Sequence, residues 1–324
     1  MCKRWRRQSG RIGSAALCGA LIVAVLSLGC REKPQAQPKR LTLRIGSAFG
    51  PLTEPLTKEY RQALPNVDVQ WVRAPNSIDV VHGIEDGTAD FGVAYSNDTY
   101  AGYWAKRDGA APKRAIRGVA LLQPLSEYLL VASNSGIHEV KHLNGRVVGL
   151  GPKDTSSYIL GQLVIEAFDI HPSAIKVINT RGAAAEGLIN RTVDAVFLPG
   201  YVYPDEVMSS AIKDGAYFVP IAGPAVDRLR ERNPFIRATT IPRNVLPGQT
   251  GIIPTVGVDM VVICAMDVDE SLVYELTKQL FIAFPRLSGV EASLRFLNVE
   301  EASATPIPLH PGAARYFRER ELSR

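Results

Sequence analysis

Cysteine is scarce. The chain has four in 324 residues, at positions 2, 18, 30 and 264. Three of them fall in the first 30 residues, so the body of the chain holds Cys264 alone and no disulfide framework can be assembled within it. Cys264 stands in an apolar, strand-like run and reads as a small buried hydrophobe. Histidine is nearly as scarce: His82, His138, His142, His171 and His310. His138 and His142 are spaced to share a metal on a helix, but Gly136, Asn144 and Gly145 break any helix there and further ligands at suitable spacing are missing, so no metal is expected. GxSxG, GxxxxGK[ST] and HExxH motifs are absent. Their absence removes the commonest signatures of serine hydrolases, P-loop nucleotide enzymes and zinc proteases. Fixed-period repeats and long low-complexity tracts are lacking too, which argues against a solenoid or a disordered chain. Neither bond chemistry nor a cofactor is expected.

Acid is missing from the first 31 residues, where Lys3, Arg4, Arg6, Arg7 and Arg11 supply charge of one sign. An apolar run follows from Ile12 to Leu28, just short of the ~18 residues that argue for a spanning helix. Basic, apolar, small is the layout of a secretory signal. Leu26-Ser27-Leu28-Gly29-Cys30 resembles the lipobox of bacterial lipoproteins, with Ser at a position where that family usually has Leu. The expectation is a signal peptide over 1–29, a lipidated Cys30, and a polar, proline-containing tether to the membrane over 30–40. Without the leader the count is 37 − 5 = 32 basic residues against 32 acidic ones. The basic isoelectric point therefore belongs to the leader and gives no argument for nucleic acid. The expected location is extracytoplasmic, in a periplasm or cell envelope.

The remaining chain alternates strand and helix signals. Leu41–Ile45, Val67–Val72 and Ala89–Ala94 read as strands, with helices over Thr53–Leu64 and Ile78–Asp86 between them. The rhythm restarts after about Leu130. Arg146–Leu150, Lys176–Ile178 and Val193–Leu198 read as strands, with helices from Tyr158 to about Phe168 and over Ala183–Ile189. Repeated β-α units argue for an α/β fold with a mostly parallel sheet, and two groups argue for two lobes with a cleft at the strand ends. Further on, Pro224–Arg232 and Glu270–Phe284 read as helices and Thr255–Ala265 as the longest strand. Asn233–Pro254, with prolines at 234, 242, 247 and 254, reads as irregular.

The candidate chemistry sits in the turns. Ser47, Asn76-Ser77, Ser96-Asn97, Thr155-Ser156-Ser157 and Thr180 all follow strands, and most precede a helix. Helix N-termini carry unpaired N–H groups and the positive end of the helix dipole, so small polar residues there suit a carboxylate or similar anion. Asp154 to Ser157 would serve equally as an ordinary helix cap. Phe49, Tyr95, Asn97 and Tyr201 lie at neighbouring strand ends. Arg73 and Arg181 are possible anion contacts, or solvated rim charges. Asp154 would repel an anion unless paired.

Several motifs together resemble the TAXI-type solute receptors of tripartite ATP-independent periplasmic (TRAP) transporters. They are Asn233-Pro234-Phe235, Ala238-Thr239-Thr240-Ile241-Pro242, Pro247-Gly248-Gln249, Pro254-Thr255-Val256 and Val273 to Lys278, in that order and spacing. Gly87 to Gly92, Val193 to Phe197 and Gly145 to Pro152 are similar to further family motifs. The resemblance covers nearly all of Leu41 to Leu287. It implies a type II periplasmic-binding-protein fold, two lobes joined by two hinge-crossing strands near Tyr128–Ser133 and Thr255–Met266. Residues 41–127 and 255–324 would form one lobe and 128–254 the other. It also implies closure over a small ligand, glutamate or a related carboxylic acid, and delivery to TRAP membrane permease subunits. The ligand turns depart from the family's glycine-rich pattern. A sensory receptor of the same fold, an enzyme on the same scaffold, and a lipoprotein holding an envelope partner remain as alternatives.

Overall fold

The computed structural model describes residues 39–46, 50–104, 115–153, 155–179, 184–200, 206–244, 249–290 and 298–323. β1 (Lys39–Gly46) leads through α1 (Gly50–Ala63) to β2 (Val67–Ala74), and through α2 (Ser77–Glu85) to β3 (Phe91–Tyr95). β1 lies between β2 and β3 and runs parallel to both. All five residues of β3 are buried, as an inner strand covered on both faces requires. α1 starts three residues earlier than its periodicity suggests. Pro55 therefore lies inside the helix rather than in its first turn.

α3 (Ser96–Trp104) follows β3 directly, and the long β4 (Ile116–Val131) returns across the sheet. A second β-α group comprises β5 (Val147–Leu150), α4 (Ser156–Ala167), β6 (Lys176–Asn179), α5 (Ala184–Ile189) and β7 (Ala195–Gly200). Here β5 lies between β6 and β7, parallel to both. The two groups thus repeat one arrangement.

An acidic residue locks each group in the same way. Asp90, just before β3, accepts the Thr42 N–H on its side chain at 2.8 Å and gives its own N–H to the Thr42 carbonyl at 2.9 Å. Asp194, just before β7, does the same with Val147, at 2.8 Å in both directions. These are the acids of the Gly87–Gly92 and Val193–Phe197 motifs, so both motifs fix strand pairing.

The chain continues through α6 (Glu206–Lys213), β8 (Tyr217–Val219), α7 (Pro224–Arg232), β9 (Ile236–Ile241), β10 (Ile253–Ala265), α8 (Glu270–Val290) and α9 (Pro311–Leu322). The strands form one sheet in the order β2-β1-β3-β10-β4-β7-β5-β6, with β8 on β4 and β9 on β10. β10 is antiparallel to β3, β4 and β9, and β4 is antiparallel to β7 and β8. The sheet is therefore mixed rather than mostly parallel. The β-α units set the flanks, while two long returning strands fill the centre.

β4 is one strand although Val119–Leu122 and Tyr128–Ala132 read from the sequence as two, because Pro124 separates the apolar runs. Pro124 faces Asp259 of β10, and β7 and β8 join β4 only from Ser126 and Leu129 onward. A proline is tolerated in a strand where one edge is open. β9 is likewise absent from the sequence reading: it fits between Pro234 and Pro242, with Ile236 and Ile241 buried at its two ends. The apolar face of α8 is buried, through Leu272, Val273, Leu276 and Leu280. α9 covers its outer side, where Tyr316 stacks on Phe281 at 5.5 Å between ring centres. Cys264 is buried. No described helix is long and apolar enough to cross a membrane. The expected leader, Cys30, the tether up to Pro38 and Ser293–Leu297, which reads from its sequence as a last helix, lie outside the described residues.

Candidate functional site

The strand-end turns of the two β-α groups meet. On one side, α2 begins at Ser77 because Asn76 is extended and its side chain accepts the Asp79 N–H at 2.9 Å. Ser77 is buried, and its Oγ accepts the Tyr95 N–H at 2.7 Å, which ties the end of β3 to the start of α2. Ser96 opens α3 rather than a turn. Its hydroxyl donates to the Phe235 carbonyl at 2.8 Å and accepts the Asp259 N–H at 3.0 Å. The next residues, Asn97 and Asp98, lie in the first turn of α3.

On the other side, Thr155 caps α4 and accepts the Tyr158 N–H at 3.3 Å. Its own hydroxyl donates to the Pro152 carbonyl at 2.7 Å. Asn76 and Thr155 are thus helix caps, the structural role that competed with binding in the sequence. Ser156 and Ser157, both buried, reach beyond α4. The Ser156 hydroxyl donates to Asp98 Oδ2 at 3.4 Å, and the Ser157 hydroxyl donates to Glu127 Oε1 at 2.6 Å. Asp98 also takes a hydrogen bond from Ser77. One carboxyl group therefore stands between the N-termini of α2 and α4, helices from opposite groups of the fold.

Of the candidates read from sequence, Asn76, Ser77, Tyr95, Asn97, Thr155, Ser156 and Ser157 gather in this region. Arg73 is exposed at the end of β2. Ser47, Phe49, Asp154, Thr180, Arg181 and Tyr201 lie outside the described residues. The sequence reading missed Asp98 and Glu127. Glu127 carried a usable signal, a lone acid in the otherwise buried run of β4. Asp98 carried none, because Ser96-Asn97 read as the end of a strand rather than the first turn of a helix.

Burial dominates the electrostatics. It pushes the Asp98 carboxyl above its ordinary range, partly offset by the Ser77 and Ser156 hydrogen bonds. It pushes Glu127 well above its ordinary value, with Ser157 alone offsetting it. Asp259, where β10 passes α3, is pushed up to about 6 by burial despite Arg237 at 3.4 Å. Arg237 also pairs with Glu301. The hydroxyls of Ser77, Ser156 and Ser157 are thus turned toward the protein's own carboxyl groups. His138 and His142 lie elsewhere: the His138 N–H donates to His142 Nδ1 at 3.3 Å, and the His138 ring stacks on Tyr217. Among the described residues no group of three metal-ligating side chains converges.

This architecture has known counterparts. PhnD1 from Prochlorococcus marinus (MIT 9301), in complex with methylphosphonate, superposes with a TM-score of 0.54 at 12% identity, covering 88% of this chain and 99% of its own. MatC from Rhodopseudomonas palustris, with bound malate, gives 0.50 at 16% identity over 89% and 98%. At such identities the likeness shows the fold alone, the type II periplasmic-binding-protein fold. The putative aliphatic sulfonates-binding protein of Escherichia coli (strain K12) is 27% identical over 183 residues, which are 54% of this chain and 54% of that protein. The chain thus spans about half the length of this curated relative. The family model described as NMT1-like matches residues 47–320. With most of its length matched, the chain belongs to the NMT1-like family.

Proposed function

We propose that the chain is an extracytoplasmic solute-binding receptor that closes two lobes over a small organic acid without changing it. The observation that carries this reading is the meeting of the α2 and α4 N-termini at Asp98. Two helix ends from opposite groups face one point. Their first-turn N–H groups have no partner within the helix and their dipoles favour an anionic group.

The lobes are residues 41–127 with 255–324, and residues 128–254. β4 and β10 run between them, and the β4–β10 register shifts between Asp259 and Val261 and again between Val262 and Ile263. A register shift loosens a ladder locally and suits a hinge. Ser47, Phe49, Asp154 and Tyr201 complete the cleft in this proposal, with Arg73 and Arg181 as rim cations. Cys30 carries the lipid anchor. Delivery goes to the permease of a TAXI-type TRAP transporter. That partner rests on the order of the motifs around Asn233–Phe235, Ala238–Pro242, Pro254–Val256 and Val273–Lys278. Support for a small acidic ligand comes from the relatives, whose names and titles mention sulfonates, methylphosphonate and malate.

Titration calorimetry of the full chain with small carboxylates, sulfonates and phosphonates tests the reading. At least one should bind, and Ser156→Ala should weaken it about tenfold, because it removes the hydrogen bond that holds the Asp98 carboxyl between the two helix N-termini. Asn76→Ala is the poorer probe, because loss of a cap costs roughly 1 kcal/mol of stability by itself. Equal affinity in wild type and Ser156→Ala would remove the site from this junction.

A further inference from the structure

Apolar surface collects at one end of the sheet. Trp104, the last residue of α3, is 62% exposed, and Met266, just past β10, is 40% exposed. Trp104 does not stand alone. Its ring meets Tyr103 edge-on at 5.0 Å and Tyr100 at 6.1 Å between centres, and the Arg117 guanidinium lies 5.5 Å from the centre of the Tyr103 ring. Both tyrosines are half-buried. A single exposed Trp is ordinary. A packed group of Trp, Tyr and Arg suits a membrane interface, where one end of each side chain is dry and the other wet.

Backbone hydrogen bonds show which end this is. The Met266 N–H donates to the Ala115 carbonyl at 2.8 Å, just before β4. The Ala265 N–H donates to the Asp90 carbonyl, and the Asp90 N–H to the Thr42 carbonyl, both at 2.9 Å. This row runs from the start of β4, past the end of β10 and the start of β3, to β1. β1 begins at Lys39, three residues before Thr42, so the chain that precedes the fold enters at the same end. Cys30 stands 39 − 30 = 9 positions before Lys39. At full extension such a segment reaches about 30 Å. A domain of this size is roughly 50 Å across. A lipid on Cys30 therefore excludes the inverted orientation and keeps this end toward the bilayer. Asp267 and Asp269 are exposed beside Met266 and give anionic lipid no advantage. The attraction left is burial of apolar surface.

We propose that this end of the fold lies on the bilayer, with Trp104 in the interface between head groups and acyl chains. This rests on the lipid anchor at Cys30 in the reading above. Tyr100, Tyr103 and Arg117 support Trp104 and keep their polar ends toward the head groups. The anchor limits the distance of the domain from the membrane, and the aromatic group sets its orientation.

The test uses the full chain, processed by a bacterial host and reconstituted into phosphatidylcholine vesicles whose acyl chains are brominated or plain. The three tryptophans are Trp5, Trp71 and Trp104. Trp5→Phe with Trp71→Phe leaves Trp104 as the fluorescent reporter, and Trp5→Phe with Trp104→Phe leaves Trp71. Each change inside the fold replaces one exposed ring by another, so neither threatens folding. Mass spectrometry of the N-terminal peptide shows whether Cys30 carries lipid. Brominated chains should lower Trp104 emission at least about twofold, as an indole at interface depth implies, and should lower Trp71 emission less. Equal or greater quenching of Trp71 would put another face on the bilayer and overturn the inference. A lipidated chain whose Trp104 emission is the same in both vesicles would overturn it and leave the anchor standing. A chain without lipid and without quenching would overturn the anchor and the inference together. Selective quenching of Trp104 in a chain without lipid would support the surface and remove the anchor.

Discussion

Glu127→Gln should melt several degrees higher than the wild type at pH 8 and no higher near pH 4.5. Glu127 is 1% exposed in the middle of β4, with Val256 of β10 and Pro199 of β7 opposite it. Ser157 donates to its carboxyl group, and the Thr255 hydroxyl donates to its backbone carbonyl. Among the described residues no cation offsets its burial, which raises its pKa well above the ordinary 4.5. A carboxyl group whose pKa is higher in the folded chain binds its proton more readily there than in the unfolded chain. The stability it contributes is complete below the unfolded value and is lost as pH rises through the folded one. Asp98 shifts in the same direction, and Asp259 rises to about 6, so all three acids make the folded protein weaker toward alkaline pH. Glutamine accepts the same Ser157 hydrogen bond and has no charge to desolvate. Relief of one poorly compensated buried group is worth about 1–3 kcal/mol, and each kcal/mol moves the melting point of a chain this size by roughly 2–4 °C. Calorimetric melts of both proteins from pH 4.5 to 8 measure the effect. Parallel curves would mean that Glu127 does not titrate between the folded and unfolded states in this range.

The flanks of the fold were legible in the sequence because their signals are local. β1 to β3 and β5 to β7 follow from short apolar strands separated by helices with the right period, and α7 was placed to the residue. The centre was legible only in part: β10 was read to within two residues of its start, but its pairing with β4 spans more than a hundred residues and carries no local signal. Pro124 splits the β4 signal, and Pro234 and Pro242 hide β9, although each proline falls where the sheet can spare an N–H. The candidate site shows the same division. Helix caps such as Asn76 and Thr155 have a sequence signature, and so these turns stood out. The acids that the turn hydroxyls serve come from elsewhere: Asp98 reaches Ser156 across 58 positions, and Glu127 reaches Ser157 across 30. Donors could be read from the turns, whereas the partners those donors had already taken could be found only in three dimensions.

The same central pairing makes Gly257→Ala a strongly damaging small substitution. Gly257 lies in β10 with Ser126 of β4 on one side and Arg237 of β9 on the other. A Cβ there would overlap the Leu125 carbonyl oxygen and lie 3.1 Å from the Leu125 carbonyl carbon and 3.2 Å from Ser126 Cα. All three are backbone atoms, so no side-chain rotation relieves the contact. The requirement is for space rather than for a left-handed backbone. Overpacking a core costs about 1–3 kcal/mol when side chains can adjust. Here the two strands themselves must part, so a loss of roughly 3 kcal/mol or more is expected, with a fall in melting temperature on the order of 10 °C. Gly289→Ala is the matched control. Its Cβ would meet nothing within 4 Å, and it sits inside α8, where alanine is favoured over glycine by roughly 1 kcal/mol. Melting both variants beside the wild type separates register from composition. If Gly257→Ala melts with the wild type, the backbones of β4 and β10 do not approach at this pair, and the hinge drawn at the register shift that begins at Asp259, two positions away, loses its geometric basis.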